Sequence, residues 1–138
     1  MRSILLLLCF AVFFADCKKS VSSSDTGSNP AVASTLMDMS YGTDAHQKMD
    51  IYLPANRSAD ATKVIFLIHG GGWSEGDKAD FNAYVAVLQQ NLPGYAIINT
   101  NYRLATNNQN LFPTQENDVK AATEFVYSKR NEYLVSDK

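Results

Sequence analysis

Cysteine and histidine are scarce in this chain of 138 residues, and the scarcity excludes several kinds of site. The two cysteines, Cys9 and Cys17, both lie near the N-terminus, and the two histidines are His46 and His69. The body of the chain therefore cannot form a disulfide, and it has too few ligands for a Cys/His zinc cluster. We expect neither a metal nor another cofactor.

An excess of charge of one sign is also lacking. The formal net charge at pH 7 is -2, the sequence pI is about 5.6, and the charged residues are evenly spread. A surface that binds nucleic acid or another polyanion needs many basic residues on one face. Neither kind of partner is therefore expected.

The apolar run from Ile4 to Ala15 is too short to cross a bilayer as a helix, which takes about 20 residues. Arg2 precedes the run and a polar segment follows it, an arrangement typical of a signal peptide. A buried core helix is the alternative, which the position at the start of the chain disfavours. We therefore interpret residues 1–17 as an export signal.

Cys17 closes this signal in the sequence Ala15-Asp16-Cys17, which resembles a bacterial lipoprotein cleavage site, although Asp16 stands where a small residue is usual. A lipidated Cys17 would anchor the protein to a membrane of the cell envelope, at about 0.8 kcal/mol per buried methylene. The alternative is a periplasmic or secreted protein without lipid. Residues 18–35 are rich in serine and predict a flexible tether.

Short apolar segments with the character of strands follow the tether. Thr35–Tyr41 and Lys48–Leu53 flank a turn-rich stretch and predict an antiparallel hairpin. Val64–Ile68 is a continuous apolar run rich in β-branched residues, which predicts a strand buried on both faces inside a parallel sheet. Tyr95–Ile98 predicts a second such strand.

Two later segments have the period of amphipathic helices. The first has Asp77 as its predicted N-cap and ends at Pro93, and its apolar face comprises Phe81, Tyr84, Val85, Leu88 and Leu92. The second starts near Pro113, and its apolar stripe comprises Val119, Ala122 and Val126. This alternation predicts an α/β fold, with a mostly parallel sheet, an antiparallel N-terminal hairpin and flanking helices.

A glycine-rich loop, His69-Gly70-Gly71-Gly72-Trp73, directly follows the predicted strand Val64–Ile68. Glycines carry an entropic cost, but they let the backbone approach a ligand and direct its amide hydrogens at one point. Such a point stabilises the negative oxygen that forms during acyl transfer. The alternative is a glycine-rich turn that only lets a helix approach the sheet.

The loop and its neighbours resemble the N-terminal half of α/β-hydrolases of the esterase and lipase kind, in which an HGGG motif forms the oxyanion hole. The segments that resemble this carboxylesterase-like family are Met49–Pro54, His69–Trp73 with Gly76-Asp77-Lys78, Asn101–Ala105, and Phe112–Gln115 with Asp118-Val119. The resemblance implies an incomplete α/β-hydrolase fold over residues 36–138. It also implies that Gly71 and Gly72 supply oxyanion-hole amides, and that His69 organises the loop without being the base of a catalytic triad.

Ser74 lies in a literal G-x-S-x-G pattern, Gly72-Trp73-Ser74-Glu75-Gly76, the pattern of the nucleophile elbow. An elbow follows its strand directly, whereas loop residues separate Ile68 from this pattern. The family order is serine, acid and then histidine, and both histidines precede Ser74. We therefore predict that Ser74 is not the nucleophile and that His46 is a solvated loop residue.

No histidine follows Ser74 in this chain, so the resemblance implies that nucleophile, acid and base all lie beyond Lys138. We expect an N-terminal fragment of a serine esterase that is inactive alone, with Tyr95–Asn101 as an unpaired edge strand. A small-molecule ester is the expected substrate. The alternatives are a serine peptidase or amide hydrolase of the same fold, and a non-catalytic surface lipoprotein.

Overall fold

A computed structural model describes residues 29–138, which fold around one four-stranded sheet. The strands are β1 (Ser34–Ser40), β2 (Lys48–Leu53), β3 (Val64–Ile68) and β4 (Ala96–Thr100). The helices are α1 (Asn82–Asn91), α2 (Thr114–Ser128) and α3 (Arg130–Tyr133), and a 3-10 turn, Lys78–Phe81, precedes α1. The predicted signal peptide, Cys17 and the first part of the tether lie outside the described residues. None of the helices within residues 29–138 has the length and apolarity needed to cross a membrane.

The strand order is β1-β2-β4-β3. β2 runs antiparallel to both β1 and β4, and β3 pairs with β4 in parallel. The predicted α/β class and the N-terminal hairpin are confirmed. The sheet of the described residues is mixed rather than mostly parallel, because β2 opposes both of its neighbours.

The positions of β3 and β4 in the sheet are the reverse of those expected. β4 is the central strand, and all five of its residues are buried. β3 lies at the edge, its residues are only half-buried, and Ile68 is 38% exposed. The predictions of a fully buried β3 and of an unpaired Tyr95–Asn101 are therefore wrong. The crossover through α1 inserts β4 between β2 and β3, so that β3 keeps one open side.

Helices cover both faces of this sheet. On one face, Ala122 and Val126 of α2 belong to the main core cluster, which also includes the strand residues Met49, Ile51, Leu53, Ala96 and Ile98. On the other face, Lys78 at the start of the 3-10 turn contacts Asp50 of β2 and Asn99 of β4. The sheet is therefore the middle layer of three, as an α/β fold requires.

The predicted apolar face of α2 is buried more completely than that of α1. Ala122 and Val126 are buried in α2 as predicted, whereas Val85 is the buried residue of α1 and Tyr84 is 61% exposed. The predicted N-cap, Asp77, caps the 3-10 turn Lys78–Phe81 rather than α1.

Candidate functional site

The loop after β3 adopts backbone conformations that side chains rarely allow. The φ angles of Gly71, Gly72 and Gly76 are 106°, 58° and 99°, all in the left-handed region. A Cβ at Gly71 would overlap the carbonyl oxygen of Glu75, and a Cβ at Gly76 would lie 2.5 Å from Nδ1 of His69. Both positions therefore require glycine for space as well as for conformation.

The carbonyl of Gly70 fixes the direction of the next amide. Its oxygen lies 2.8 Å from Nδ1 of His69 and 3.2 Å from the hydroxyl of Tyr102. The C=O and N–H of one peptide unit point in opposite directions because the unit is planar and trans. The amide of Gly71 therefore points away from His69 and Tyr102.

The carbonyl of Gly71 fixes the following amide in the same way. It accepts hydrogen bonds from the amides of Ser74 (3.1 Å) and Glu75 (3.2 Å), so the amide of Gly72 points away from that turn. Within residues 29–138, neither the Gly71 nor the Gly72 amide donates a hydrogen bond to a protein acceptor. Two hydrogen-bond donors are thus left for another group.

Two adjoining hollows are lined by the residues that carry these amides. Gly71 lines an opening of about 450 Å³ together with Glu75, Gly76 and Asp80. Gly72 lines a smaller one of about 210 Å³, whose other residues are His69, Gly70, Trp73 and Tyr102. Gly70 borders both hollows, so they meet at the glycine loop.

The side chain of His69 is used inside the loop. It is 3% exposed, its ring stacks on that of Tyr102 with centroids 4.2 Å apart, and Nδ1 faces the Gly70 carbonyl. Since a carbonyl only accepts, Nδ1 carries the hydrogen in this contact. The other ring nitrogen, Nε2, is buried and has no hydrogen-bond partner among the residues that the structure describes. This geometry holds the loop together and offers no exposed base.

The remaining candidates lie apart from any such arrangement. Ser74 is exposed, and its hydroxyl lies 3.4 Å from the carbonyl of Gly71. His46 is exposed in the turn between β1 and β2, where it contacts Asp44. No hydrogen bond joins a serine hydroxyl to a histidine anywhere in the described part of the chain, so it contains no assembled nucleophile–base pair. Nor do three His, Cys, Asp or Glu side chains of residues 29–138 converge as metal ligands would.

The sequence analysis named Asp118 only as part of the family resemblance and did not predict its buried ion pair. Asp118 of α2 is 1% exposed and accepts from the Arg103 amide (2.9 Å), the Arg103 side chain (2.7 Å to Nη2) and Gln47 (2.8 Å). Burial alone would raise the pKa of Asp118, but the hydrogen bonds from Arg103 and Gln47 outweigh it, so that pKa is lowered. The sequence feature that could have indicated this ion pair is Arg103, a cation in the segment that leads into α2.

A second ion pair holds the far end of the loop. Lys78 is 13% exposed and donates to Asp50 (2.7 Å) and to the mostly exposed Asp38 (3.0 Å). Burial alone would lower the pKa of Lys78, but the hydrogen bonds to these two carboxylates outweigh it and raise that pKa. At the other end, the hydroxyl of Tyr102, the residue before Arg103, donates to the carbonyl of His69 (2.9 Å), so the loop between His69 and Lys78 is held at both ends by buried polar contacts.

Fold, loop and motif order together are those of the N-terminal part of an α/β-hydrolase of the esterase type. A family model described as BD-FAE matches residues 49–138, and the chain belongs to this family. Among solved structures, the chain is similar to a truncated carbohydrate esterase from gut microbiota, with a TM-score of 0.61 and 26% identity. That match covers 77% of this chain and 37% of the other. A bifunctional GH43-CE protein of Bacteroides eggerthii matches with a TM-score of 0.60 and 30% identity, over 73% and 13% of the two chains.

Two curated relatives come from animals. Kynurenine formamidase of Danio rerio is 35% identical over 75 residues, which are 54% of this chain and 25% of that protein. Arylacetamide deacetylase of Bos taurus is 32% identical over 83 residues, which are 59% of this chain and 20% of that protein. The chain therefore spans about a quarter or less of the length of the curated relatives it matches.

Proposed function

We propose that this chain is the oxyanion-binding part of an exported serine esterase acting on carboxylic esters. One observation carries the proposal: at the carboxyl end of β3, the two adjacent amides of Gly71 and Gly72 have no protein acceptor among residues 29–138. The carbonyls of Gly70 and Gly71 hold these amides outward. A turn that served only packing would have no use for them.

The chemistry follows from what two outward amides can do. When a nucleophile attacks an ester carbonyl, the electrons of the C=O bond move onto the oxygen, which becomes an anion. Amides fixed in advance stabilise that anion without any reorganisation during the reaction, and removing one such donor costs about 10²–10³ in kcat. His69 contributes by holding the loop, not by moving a proton to or from substrate.

The nucleophile and its base would come from sequence that follows Lys138. The amide of Ser136 donates to the carbonyl of Thr62 (2.8 Å), whereas the carbonyl of Lys63 accepts from Ala96 of β4. Carbonyls of neighbouring strand residues point to opposite sides, so Ser136 lies on the open side of β3. This bond supports a further strand there, parallel to β3. In that register, the residue beside His69 would lie about six residues after Ser136.

A groove beside β3 fits the same proposal. It has a volume of about 290 Å³, and its lining combines apolar residues such as Val64, Phe66 and Val135 with polar ones such as Arg130 and Asp137. A strand in this position would cover the groove and would end beside the glycine loop. A nucleophile on the turn after that strand would then face the two amides, as acyl transfer requires.

An amide or formamide substrate is the second candidate, favoured by the 35% identity with a kynurenine formamidase. Both ester and amide cleavage pass through an oxyanion, and a fold does not fix its substrate. A non-catalytic surface lipoprotein is the third, and a stop codon directly after Lys138 in the gene would support it. Export, and an anchor at Cys17, form part of the proposal on the strength of Arg2 and the apolar run that follows it.

The experiment compares this chain with the longer protein that we propose. Both are assayed on p-nitrophenyl acetate and on peptidyl and formyl amides, with a Ser74→Ala variant of the longer protein as the control. We expect the longer protein and its control to cleave the ester at equal rates, and the chain alone to match buffer. Ester cleavage by the longer protein no faster than buffer would contradict the esterase proposal.

The anchor needs a separate test. Cells that express the chain are fed a radiolabelled fatty acid, and the label on the protein is compared with that on the Cys17→Ser and Cys9→Ser variants. We expect label on the parent and on Cys9→Ser and none on Cys17→Ser. Equal labelling of both variants, or no label on the parent, would contradict lipidation at Cys17.

A further inference from the structure

We propose that Tyr102 is a positioning residue whose hydroxyl keeps the Gly70–Gly71 peptide in the orientation that turns the Gly71 amide outward. The inference rests on the proposed function, since it concerns the same amides. The Tyr102 hydroxyl contacts the backbone of the loop and not the substrate. The reacting atoms would sense Tyr102 only through the peptide that it holds.

The peptide between Gly70 and Gly71 needs such a restraint. Glycine populates positive and negative φ about equally, so a peptide unit between two glycines has alternative orientations of similar energy. In the reversed orientation the Gly71 amide would face inward and the carbonyl of Gly70 outward. An outward carbonyl oxygen would repel a negative oxygen where the amide would have bound it.

Tyr102 restrains both carbonyls that precede the amide. Its hydroxyl lies 2.9 Å from the carbonyl oxygen of His69 and 3.2 Å from that of Gly70. Burial raises the pKa of Tyr102, so the hydroxyl keeps its hydrogen and remains a donor. The Nδ1 contact of His69 with Gly70 joins neighbouring residues and moves with the loop, whereas Tyr102 reaches the loop from a separate segment.

The segment that carries Tyr102 is anchored on both sides of that residue. On one side, the Asn101 side chain donates to Asp77 (2.8 Å) and accepts from the Lys78 amide (2.5 Å). On the other, Arg103 donates to Asp118 through its amide and its side chain. Tyr102 itself is 1% exposed and stacks on His69. The hydroxyl is therefore held at a fixed point while the glycine loop adapts to it.

The test removes this hydroxyl alone. Tyr102→Phe keeps the buried ring. Tyr41→Phe is the matched control, because the Tyr41 hydroxyl donates to the carbonyl of Asn101 (2.6 Å), so this variant loosens the segment that carries Tyr102 but leaves the hydrogen bonds of the Tyr102 hydroxyl to the glycine loop in place. The amide signals of Gly71 and Gly72 are followed by ¹H–¹⁵N NMR in the 138-residue chain. We expect Tyr102→Phe to split or broaden the Gly71 signal and Tyr41→Phe to leave it unchanged.

Two outcomes would overturn the proposal. In one, the Gly71 signal is the same in Tyr102→Phe as in Tyr41→Phe. In the other, Tyr102→Phe does not fold while Tyr41→Phe does, which would show that the hydroxyl supports the whole fold rather than one peptide. Because NMR reports the peptide without any turnover, an inactive longer protein would remove the proposed esterase function and leave this result standing.

Kinetics on the longer protein supply a second readout. If the Gly70–Gly71 peptide is reversed in part of the molecules, the Gly71 amide is no longer available there. Tyr102→Phe then lowers kcat on p-nitrophenyl acetate by about 10–100-fold, and KM stays within about twofold. A purely structural role would instead lower the fraction of active enzyme, which titration of active sites with an alkyl phosphonate measures, and kcat per active site would stay at the parent value. Equal losses in Tyr102→Phe and Tyr41→Phe would therefore also count against the proposal.

Discussion

Asp118 and Asp50 are both buried carboxylates paired with a cation, yet they hold the two ends of the site in different ways. Asp118 accepts from the planar fork of Arg103, from a backbone amide and from Gln47, so its oxygens are fully used. Asp50 shares Lys78 with the exposed Asp38 and otherwise accepts from one backbone amide. The segment behind the loop is therefore held in a more fixed geometry than the segment after it.

Removing Asp118 tests the stronger anchor and has the largest expected effect. Asp118→Ala leaves the Arg103 amide and Gln47 without their acceptor, and we expect a loss of about 3–5 kcal/mol in the free energy of unfolding. Urea denaturation measures it. Glu124→Ala on the same helix is the control, since its pair with Lys120 is exposed and is worth less than about 1 kcal/mol. A loss below that of the control would break the comparison.

Removing Lys78 tests the weaker anchor. Lys78→Met keeps the length of the side chain but leaves the Asp50 carboxylate buried without its cation, and we expect a loss of about 2–3 kcal/mol in the same measurement. Asp38→Asn is the control, because Asp38 is 69% exposed and its removal leaves the Lys78–Asp50 pair intact. A loss equal to that of Asp118→Ala would show that the two anchors do not differ.

The loop between the anchors has its own requirement. Gly76→Ala combines a φ of 99° with overlap of His69, and we expect it to cost about 1–3 kcal/mol of stability. Gly70→Ala is the matched control, since a Cβ there has no atom within 4 Å. Differential scanning calorimetry of both variants gives the comparison. Equal changes in Tm would mean that the packing of the His69 ring does not require a glycine at position 76.

The smallest expected effect is the dependence of stability on acid. The pKa of Asp118 is lower in the folded state than its ordinary value of about 3.9, so its carboxylate contributes stability that is complete well above that value. This contribution is lost as the pH falls below about 3.9 and through the folded pKa. Urea titrations from pH 5 to pH 2 should show a steeper decline for the parent chain than for Asp118→Asn. Parallel declines would show that Asp118 contributes no such dependence.

Local sequence patterns predicted the elements of the fold well, because each depends on neighbouring residues. The hairpin, both apolar strands and the stripe of α2 all follow from apolar periods that the structure repeats. The order of the strands did not follow, since β3 is wholly apolar and yet lies at the edge, whereas the central β4 contains Asn99 and Thr100. Only the crossover through α1 decides that β4 lies inside and β3 at the edge.

The candidate site was predictable to the extent that it resides in one loop. Three consecutive glycines directly after a predicted strand indicated the loop His69–Trp73. The contacts that fix the loop join residues far apart in sequence: Tyr102 reaches His69 and Gly70, and Asp118 reaches Gln47. No local pattern specifies such pairings, because they depend on how β4 and α2 fold back onto the sheet.

The most direct test of the account is a crystal structure of the longer protein after reaction with an alkyl phosphonate, which mimics the tetrahedral intermediate. We predict that the phosphonyl oxygen lies about 2.7–3.1 Å from the amide nitrogens of Gly71 and Gly72. A phosphonyl oxygen bound by other donors, with these two amides turned toward protein carbonyls, would contradict it.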